Sequence, residues 1–258
     1  MSKKPISKNT LLAILADNRV DDMRQYLDSP KGNANFTIDH VTLLGMAKSK
    51  EMAELLIDKG ADIHNEYYGY TPFLYQAAGT RAEVMKVIFD KDPSVIYDKD
   101  PRGWNALHLS VRHPFKESLE CAEFLLNAKI DINAKTTGGY TALDITMMSR
   151  NVATERIIKL LIDKGINTIL HKDTARLPNA ELVKRFVKEK MERERLTYNQ
   201  AYRGLAGKIP ENVVGINIKG FIEGPVAPGQ GRPEYPSRSV SRKSRKSLKR
   251  KSRKSRKN

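Results

Sequence analysis

Five copies of one short pattern, spaced 29 to 36 residues apart, occupy the first two thirds of this 258-residue chain. Each copy opens with Thr or Asn, continues into an apolar block, and is followed by a second apolar block and a turn. The opening residues are Thr10, Thr42, Thr71, Asn105 and Thr141. A unit of this size holds two short helices and a hairpin-like turn, and it buries its apolar face only against neighbouring units. The pattern therefore predicts a stacked array over residues 10–170.

Three of the copies begin with a glycine and an aromatic residue. They read GYTPFLYQA from Gly69, GWNALHLSV from Gly103 and GYTALDITM from Gly139. The Thr or Asn that follows suits a helix N-cap, because its side-chain oxygen accepts a hydrogen bond from an otherwise unpaired amide. Gly60 and Gly165, at the ends of two LLIDKG blocks, suit a left-handed helix C-cap. The last two copies are longer, and we expect their extra residues in the helix–helix loops near 113–118 and 149–154.

The rest of the chain divides by composition. A short segment, 1–9, precedes the array. Residues 171–219 have helical character, and Leu182, Val183, Phe186 and Val187 form an apolar stripe predicted to cover the last repeat. Residues 220–236 contain four Gly and four Pro, which is typical of a linker. The Ser/Arg/Lys-rich tail 237–258 is too charged to collapse into a core, so we expect it to be disordered.

The net charge of +16 belongs mainly to this tail. Residues 1–170 carry 22 basic and 22 acidic side chains, whereas residues 237–258 carry 12 basic and no acidic ones. Such a run fits a nuclear-targeting signal, a nucleic-acid contact or a solubilising segment. Without aromatic residues to stack on bases, nucleic-acid binding would be sequence-independent. The candidate residues are Arg242, Lys243, Arg245, Lys246, Lys249, Arg250, Lys251, Arg253, Lys254, Arg256 and Lys257.

Signals for catalysis, metal binding and secretion are weak. With a single cysteine, Cys121, the chain forms no internal disulfide, and we expect an intracellular protein of the cytoplasm or nucleus. No apolar run approaches the ~20 residues of a membrane span. The histidines and Cys121 lack metal-ligand spacing, and no glycine-rich phosphate-binding loop occurs. We expect no enzymatic activity and no cofactor.

Aromatic residues mark a candidate binding surface. Tyr70, Trp104 and Tyr140 occupy the same place in three consecutive copies, directly before the helix cap. Stacking would align them in a row, and Tyr, Trp and Arg are enriched in binding hot spots. The alternative is that each ring simply packs on the next hairpin. We expect further contacts at the hairpin tips, from Tyr67, Tyr68, Arg102, Lys135 and Thr137.

The motifs TPF at Thr71, NALHLS at Asn105, KGADIH at Lys59 and KIDIN at Lys129 resemble the ankyrin repeat family. The resemblance implies an all-α solenoid of about five repeats, with a C-terminal helical extension. It also implies a structural role for His108, and His64 stands where the family's turn has Asn. Gly45 and Leu74 replace the family's His, and Asp92 replaces its turn Gly. The basic tail after an irregular array is similar to proteins of large DNA viruses and intracellular bacteria, which would act in a host cell.

The sequence predicts a non-enzymatic module that binds a partner protein through the concave surface formed by the hairpin fingers and inner helices. The alternative is a nucleic-acid-associated or nucleus-targeted factor that acts through residues 237–258.

Overall fold

A computed structural model describes residues 7–113, 116–149 and 153–205. The predicted linker 220–236 and tail 237–258 lie outside these residues, as do most of segment 1–9 and the end of segment 171–219. The chain divides into two compact units, residues 1–194 and residues 195–258. Of the second unit, only the end of the last helix is described.

The described residues are mostly helical. The helices are α1 (Lys8–Ala16), α2 (Val20–Leu27), α3 (Leu43–Met46), α4 (Lys50–Asp58), α5 (Pro72–Ala78), α6 (Ala82–Lys91), α7 (Ala106–Val111), α8 (Lys116–Asn127), α9 (Ala142–Met147), α10 (Thr154–Asp163) and α11 (Ala180–Leu205). A 3₁₀ helix spans Pro93–Tyr97, and β1 (Thr37–Ile38) pairs with β2 (Val41–Thr42) in a small antiparallel hairpin. The prediction of an all-α fold is confirmed.

Consecutive helices pair into five units that stack in two layers. An inner row runs α3, α5, α7 and α9, each helix packing on the next, and an outer row runs α2, α4, α6, α8 and α10. The core lies between the rows and is continuous from Leu11 to Phe186. No unit buries its apolar face alone, as expected for stacked repeats.

The predicted helix caps are present in four of the five units. Side chains of Thr42, Thr71, Asn105 and Thr141 each accept a hydrogen bond from a backbone N–H of the first turn. The first unit differs from the prediction. Ser7 caps α1 by accepting from the Thr10 N–H, so Thr10 lies inside the helix and the unit begins three residues earlier.

Asparagine and aspartate side chains fold the turns between units. In five successive turns the side-chain oxygen of an Asn or Asp accepts the backbone N–H two residues on: these residues are Asn33, Asp62, Asp92, Asp131 and Asn167. Adjacent turns are also joined, since Asn35 accepts from the Asp62 N–H at 2.7 Å. His64 holds the equivalent place in the next turn and pairs with Asp92 at 3.1 Å. This contact agrees with a structural role for His64.

The third unit departs from its neighbours after α6. Asp92 was expected to replace the turn glycine, but it instead occupies the Asx-turn position and caps the 3₁₀ helix. The loops predicted near 113–118 and 149–154 include residues 114–115 and 150–152, which lie outside the described residues. Residues 116–118 of the first predicted loop are helical, because α8 begins at Lys116.

The C-terminal end of the array is closed by residues 166–190. Asp144 is 1 % exposed and accepts hydrogen bonds from the His171 N–H and the Thr174 hydroxyl. Asn179 donates to the Met147 and Ser149 carbonyls at the end of α9. The predicted apolar stripe of α11 packs on the core, with Val183 and Phe186 buried and Leu182 and Val187 half-buried.

Candidate functional site

Hairpin fingers project from the units at residues 37–42, 66–71, 100–105 and 136–141, and neighbouring fingers lie in close contact. Gly69 has φ +77°, and a Cβ there would lie 2.1 Å from the Pro101 Cδ of the next finger, so only glycine fits. The Thr137 N–H donates to the Arg102 carbonyl at 2.9 Å. This contact brings equivalent finger residues side by side.

The buried carboxylate of Asp100 organises the central finger. It accepts the backbone N–H groups of Arg102 and Trp104, each at 2.9 Å, and the Arg102 guanidinium at 2.8 and 2.9 Å. The Tyr70 hydroxyl donates to it from the preceding finger at 3.1 Å. Burial alone raises the pKa of Asp100, but the hydrogen bonds from Trp104 and Arg102 outweigh it and hold the pKa below its ordinary value. The ionised Asp100 carboxylate therefore holds the finger in place through its ion pair with Arg102.

Trp104, the single tryptophan of the chain, is half-buried between two arginines. The Arg102 guanidinium lies 4.9 Å from the ring centroid and that of Arg112 lies 5.6 Å away. Both distances are within the range of cation–π attraction. The indole N–H has no hydrogen-bond partner among the residues that the structure describes.

The hydroxyls of the two tyrosines in the predicted row form hydrogen bonds outside their own fingers. The Tyr70 hydroxyl is shared between Asp100 and Arg102, and its ring packs on Tyr75 at 5.3 Å. The Tyr140 hydroxyl donates to Asp173 at 2.9 Å, and this bond, more than burial, raises the pKa of the phenol. The three rings therefore do not stack on one another. The Tyr70 hydroxyl bonds to the next hairpin, as the packing alternative describes, whereas Tyr140 bonds to the segment that follows the last repeat.

Trp104 and Tyr140 face a shared cleft between the fourth and fifth units. The cleft is open, has a volume of about 580 Å³, and runs from the fingers to the C-terminal ends of α7 and α9. Its lining combines aromatic, aliphatic and basic groups: Trp104, Arg112, His113, Tyr140, Ile145, Met148 and Ser149. Among the described residues, no carboxylate lines this cleft.

Tyr67 and Tyr68 form a separate aromatic cluster at the tips of the first two fingers. The His40 ring stacks on Tyr67 at 4.3 Å, and Tyr68 packs edge-on against Tyr67 at 4.4 Å. Tyr68 is 77 % exposed. His40 and Tyr68 both have positive φ, at 71° and 50°, which is uncommon for residues other than glycine.

The predicted binding residues thus fall into two groups rather than one row. In the first group, Trp104 and Tyr140 line the cleft, and Arg102 lies over the Trp104 ring and bonds to Tyr70. In the second group, Tyr67 and Tyr68 lie with His40. Thr137 is exposed and contributes its backbone N–H, and Lys135 is exposed without a polar contact in the described part of the chain.

Sequence reasoning missed Asp100, Arg112 and His40. The position of each residue in the repeat could have indicated two of them. Asp100 is the first residue of its finger, and His40 aligns with Gly69, Gly103 and Gly139 of the later fingers. Arg112, directly after α7, could be assigned to the cleft only once the inner helices were placed beneath the fingers.

His108 and Cys121, two side chains that can take part in catalysis elsewhere, are buried in the core. His108 is enclosed, with Nδ1 2.6 Å from the Asn105 Oδ1, and burial lowers its pKa. Burial raises the pKa of the Cys121 thiol to about 12, which keeps it protonated and unreactive. Within the described ranges, no group of three or more His, Cys, Asp or Glu side chains is placed to hold a metal ion. Nor does any helix there combine the length and apolarity needed to cross a bilayer.

Comparisons with known proteins identify the repeats. Residues 43–136 match the sequence model of ankyrin repeats, with three copies. Among curated proteins, the chain is 31 % identical over 83 residues to the ankyrin repeat, SAM and basic leucine zipper domain-containing protein 1 of Dasypus novemcinctus, and 29 % identical to that of Mustela putorius furo. The match covers 32 % of this chain but only 17 % and 18 % of the two relatives.

Solved structures share the fold. The ankyrin repeat protein EF0377 superposes with a TM-score of 0.55 at 22 % identity, covering 70 % of this chain and 96 % of that one. An ankyrin repeat domain from Acinetobacter baumannii AYE gives 0.54 at 18 % identity, covering 70 % and 97 %. Residues 43–136 therefore contain ankyrin repeats, and the solved structures show that the chain has the ankyrin repeat fold.

Proposed function

We propose that this protein is a non-enzymatic binding module that holds a partner protein in the cleft between its fingers and inner helices. Ankyrin repeats are in general protein–protein interaction modules. The observation that carries the proposal is Trp104: its ring is half-exposed, its N–H lacks a partner among the described residues, and it lines an open cleft. Large aromatic side chains in such positions contribute most of the binding energy at interfaces.

The proposal predicts that truncation of Trp104 weakens binding more than truncation of either tyrosine of the row. A partner is first found by proximity labelling in cells, and its affinity for the full chain is then measured by calorimetry. Trp104→Ala should cost ~2 kcal/mol or more, which is about a thirtyfold loss of affinity. Tyr70 and Tyr140 should matter less because their hydroxyls already bond to Asp100 and Asp173.

Tyr97→Ala is the matched control, since Tyr97 is an aromatic residue that is 79 % exposed on the 3₁₀ helix and does not line the cleft. Circular dichroism of each variant checks that the fold is intact. Equal affinities for the Trp104→Ala and Tyr97→Ala variants would reject the cleft as the binding surface.

A second candidate function rests on the composition of residues 237–258, with their 12 basic and no acidic side chains. Deleting this segment should abolish binding to unrelated DNA duplexes and leave the melting temperature of the repeats unchanged. Binding by the full chain should fall steeply with salt, with a log–log slope near −0.9 per phosphate neutralised. Duplex binding that survives the deletion, or strong preference for one duplex, would place nucleic-acid recognition in the folded repeats.

A further inference from the structure

We propose that the cleft beside Trp104 selects an acidic segment of its partner, in which a carboxylate side chain neighbours an apolar one. This inference rests on the proposed function and specifies the chemistry of the partner at the same site. It depends on the charge of the cleft and on the side chains that lie beside that charge.

The charges around Trp104 do not cancel. Arg102 is paired, because its guanidinium bonds to Asp100 at 2.8 and 2.9 Å and to the Tyr70 hydroxyl at 2.6 Å. Arg112 is exposed and forms no ion pair within the described residues. Both guanidinium groups lie near the Trp104 ring, but among the described residues only that of Arg102 has a carboxylate partner. In the described part of the chain, the guanidinium of Arg112 is therefore left uncompensated.

Arg112 is positioned to receive a carboxylate. Its contact with the Trp104 ring, 5.6 Å from the centroid, favours one orientation of the guanidinium. A held guanidinium loses less conformational entropy on binding and presents paired donors that match a carboxylate. The residue that could have neutralised it, Asp100, is itself only 4 % exposed and already accepts five hydrogen bonds.

Apolar groups line the cleft together with this cation. They are Ile145, Met148, which is 49 % exposed, and the rings of Trp104 and Tyr140. An exposed methionine beside aromatic rings suits an apolar side chain of the partner, because its flexible thioether adapts to different shapes. Among the described residues, the cleft thus combines an unpaired guanidinium with apolar lining groups, and an acidic segment with an apolar anchor complements both.

The test uses the fluorescence of Trp104, because this residue is the only tryptophan in the chain. A change in its emission reports a ligand that alters the surroundings of this ring. The full chain is titrated with ten-residue peptides that lack Trp. One peptide alternates Glu with Leu and Phe, a second replaces every Glu with Lys, a third replaces every Glu with Gln, and a fourth keeps Glu but replaces Leu and Phe with Ser.

The Glu/Leu/Phe peptide should change the Trp104 emission to saturation, and the Lys peptide should not. Arg112→Ala should weaken the Glu/Leu/Phe peptide about tenfold, since a hydrogen bond to a charged group contributes ~1.5 kcal/mol. Arg112→Lys should recover part of the affinity. The matched control is Arg156→Ala, which removes the same charge from an exposed position on α10.

Four outcomes would overturn the inference. Equal affinities for the Arg112→Ala and Arg156→Ala variants would show that the cleft does not read the carboxylate. Binding of the Gln peptide as tightly as the Glu/Leu/Phe peptide would retain a protein-binding cleft and reject only its acidic selectivity. A single-stranded oligonucleotide that shifts Trp104 emission through Arg112 would assign the cleft to phosphate. If no peptide perturbs Trp104, the acidic selectivity is rejected, whereas the proposed function is decided by the partner experiment with Trp104→Ala.

Discussion

Two buried aspartates, Asp100 in the central finger and Asp144 at the end of the array, show how similar carboxylates serve different purposes. Both accept several hydrogen bonds, and for both these bonds outweigh the effect of burial and lower the pKa. Asp100 accepts from a cation and from the finger backbone. Asp144 accepts only neutral donors, from Thr141, His171 and Thr174.

The difference lies in what each carboxylate connects. Asp144 links the cap of α9 to residues that follow the last repeat, so its bonds join segments 27 and 30 residues apart. Asp100 joins two fingers and arranges Arg102 over the half-buried ring of Trp104. We infer that Asp144 contributes mainly to stability and Asp100 mainly to the shape of the binding surface.

The largest effect is expected from the core on which both regions rest. Leu107 lies in α7 and is 1 % exposed, so Leu107→Ala should lower the free energy of unfolding by ~2–5 kcal/mol. Ile169→Ala is the matched control, because Ile169 is 82 % exposed and its loss should change stability by at most ~0.5 kcal/mol. Urea denaturation followed by circular dichroism measures both. A Leu107→Ala variant as stable as the parent would contradict the stacked core.

Asp144→Asn should have the next largest effect on stability. The amide keeps one acceptor oxygen, but its nitrogen cannot accept the bonds made by Asp144 Oδ2, so we expect a loss of ~1–3 kcal/mol. Asp131→Asn is the control, since Asp131 is exposed and equivalent turns already use Asn33 and Asn167. Similar unfolding midpoints for the two variants would remove the proposed role of Asp144.

The stabilisation from Asp144 should depend on pH. Its folded pKa lies below the ordinary value, so the contribution is complete above the unfolded pKa of about 3.9 and is lost as pH falls through the folded value. The difference in melting temperature between the parent and Asp144→Asn should therefore be large at pH 7 and shrink in strong acid. A difference that grows on acidification would give the opposite sign and contradict the lowered pKa.

Asp100→Asn should have the smallest effect on stability, about 1 kcal/mol, because the Arg102 side chain it releases is half-exposed and can be hydrated. Its main consequence should be at the surface: without the ion pair, Arg102 no longer stays over the Trp104 ring. We expect a shift in Trp104 emission for Asp100→Asn and none for Asp144→Asn. A shift for Asp144→Asn and none for Asp100→Asn would contradict the proposed role of Asp100 at the binding surface.

Much of the architecture follows from local sequence. The repeat spacing and the capping residues Thr42, Thr71, Asn105 and Thr141 predict where four inner helices begin, because a cap is decided by groups three residues apart. Gly60 and Gly165 take the expected left-handed conformation at φ 86° and 91°. The predicted start of the first unit was wrong, because Ser7 and Thr10 can both cap a helix and the sequence does not show which of them does.

The candidate site depended more on tertiary structure. Sequence determined that Tyr70, Trp104 and Tyr140 hold equivalent positions in stacked units, since a repeat fixes equivalence. It did not determine their surroundings: the partners of Tyr70 and Tyr140 lie 30 and 33 residues away, and Arg112 reaches the cleft from the end of α7. Those contacts depend on how one unit packs on the next. Only the fold therefore decided which ring is left free to bind, and which arginine is left unpaired beside it.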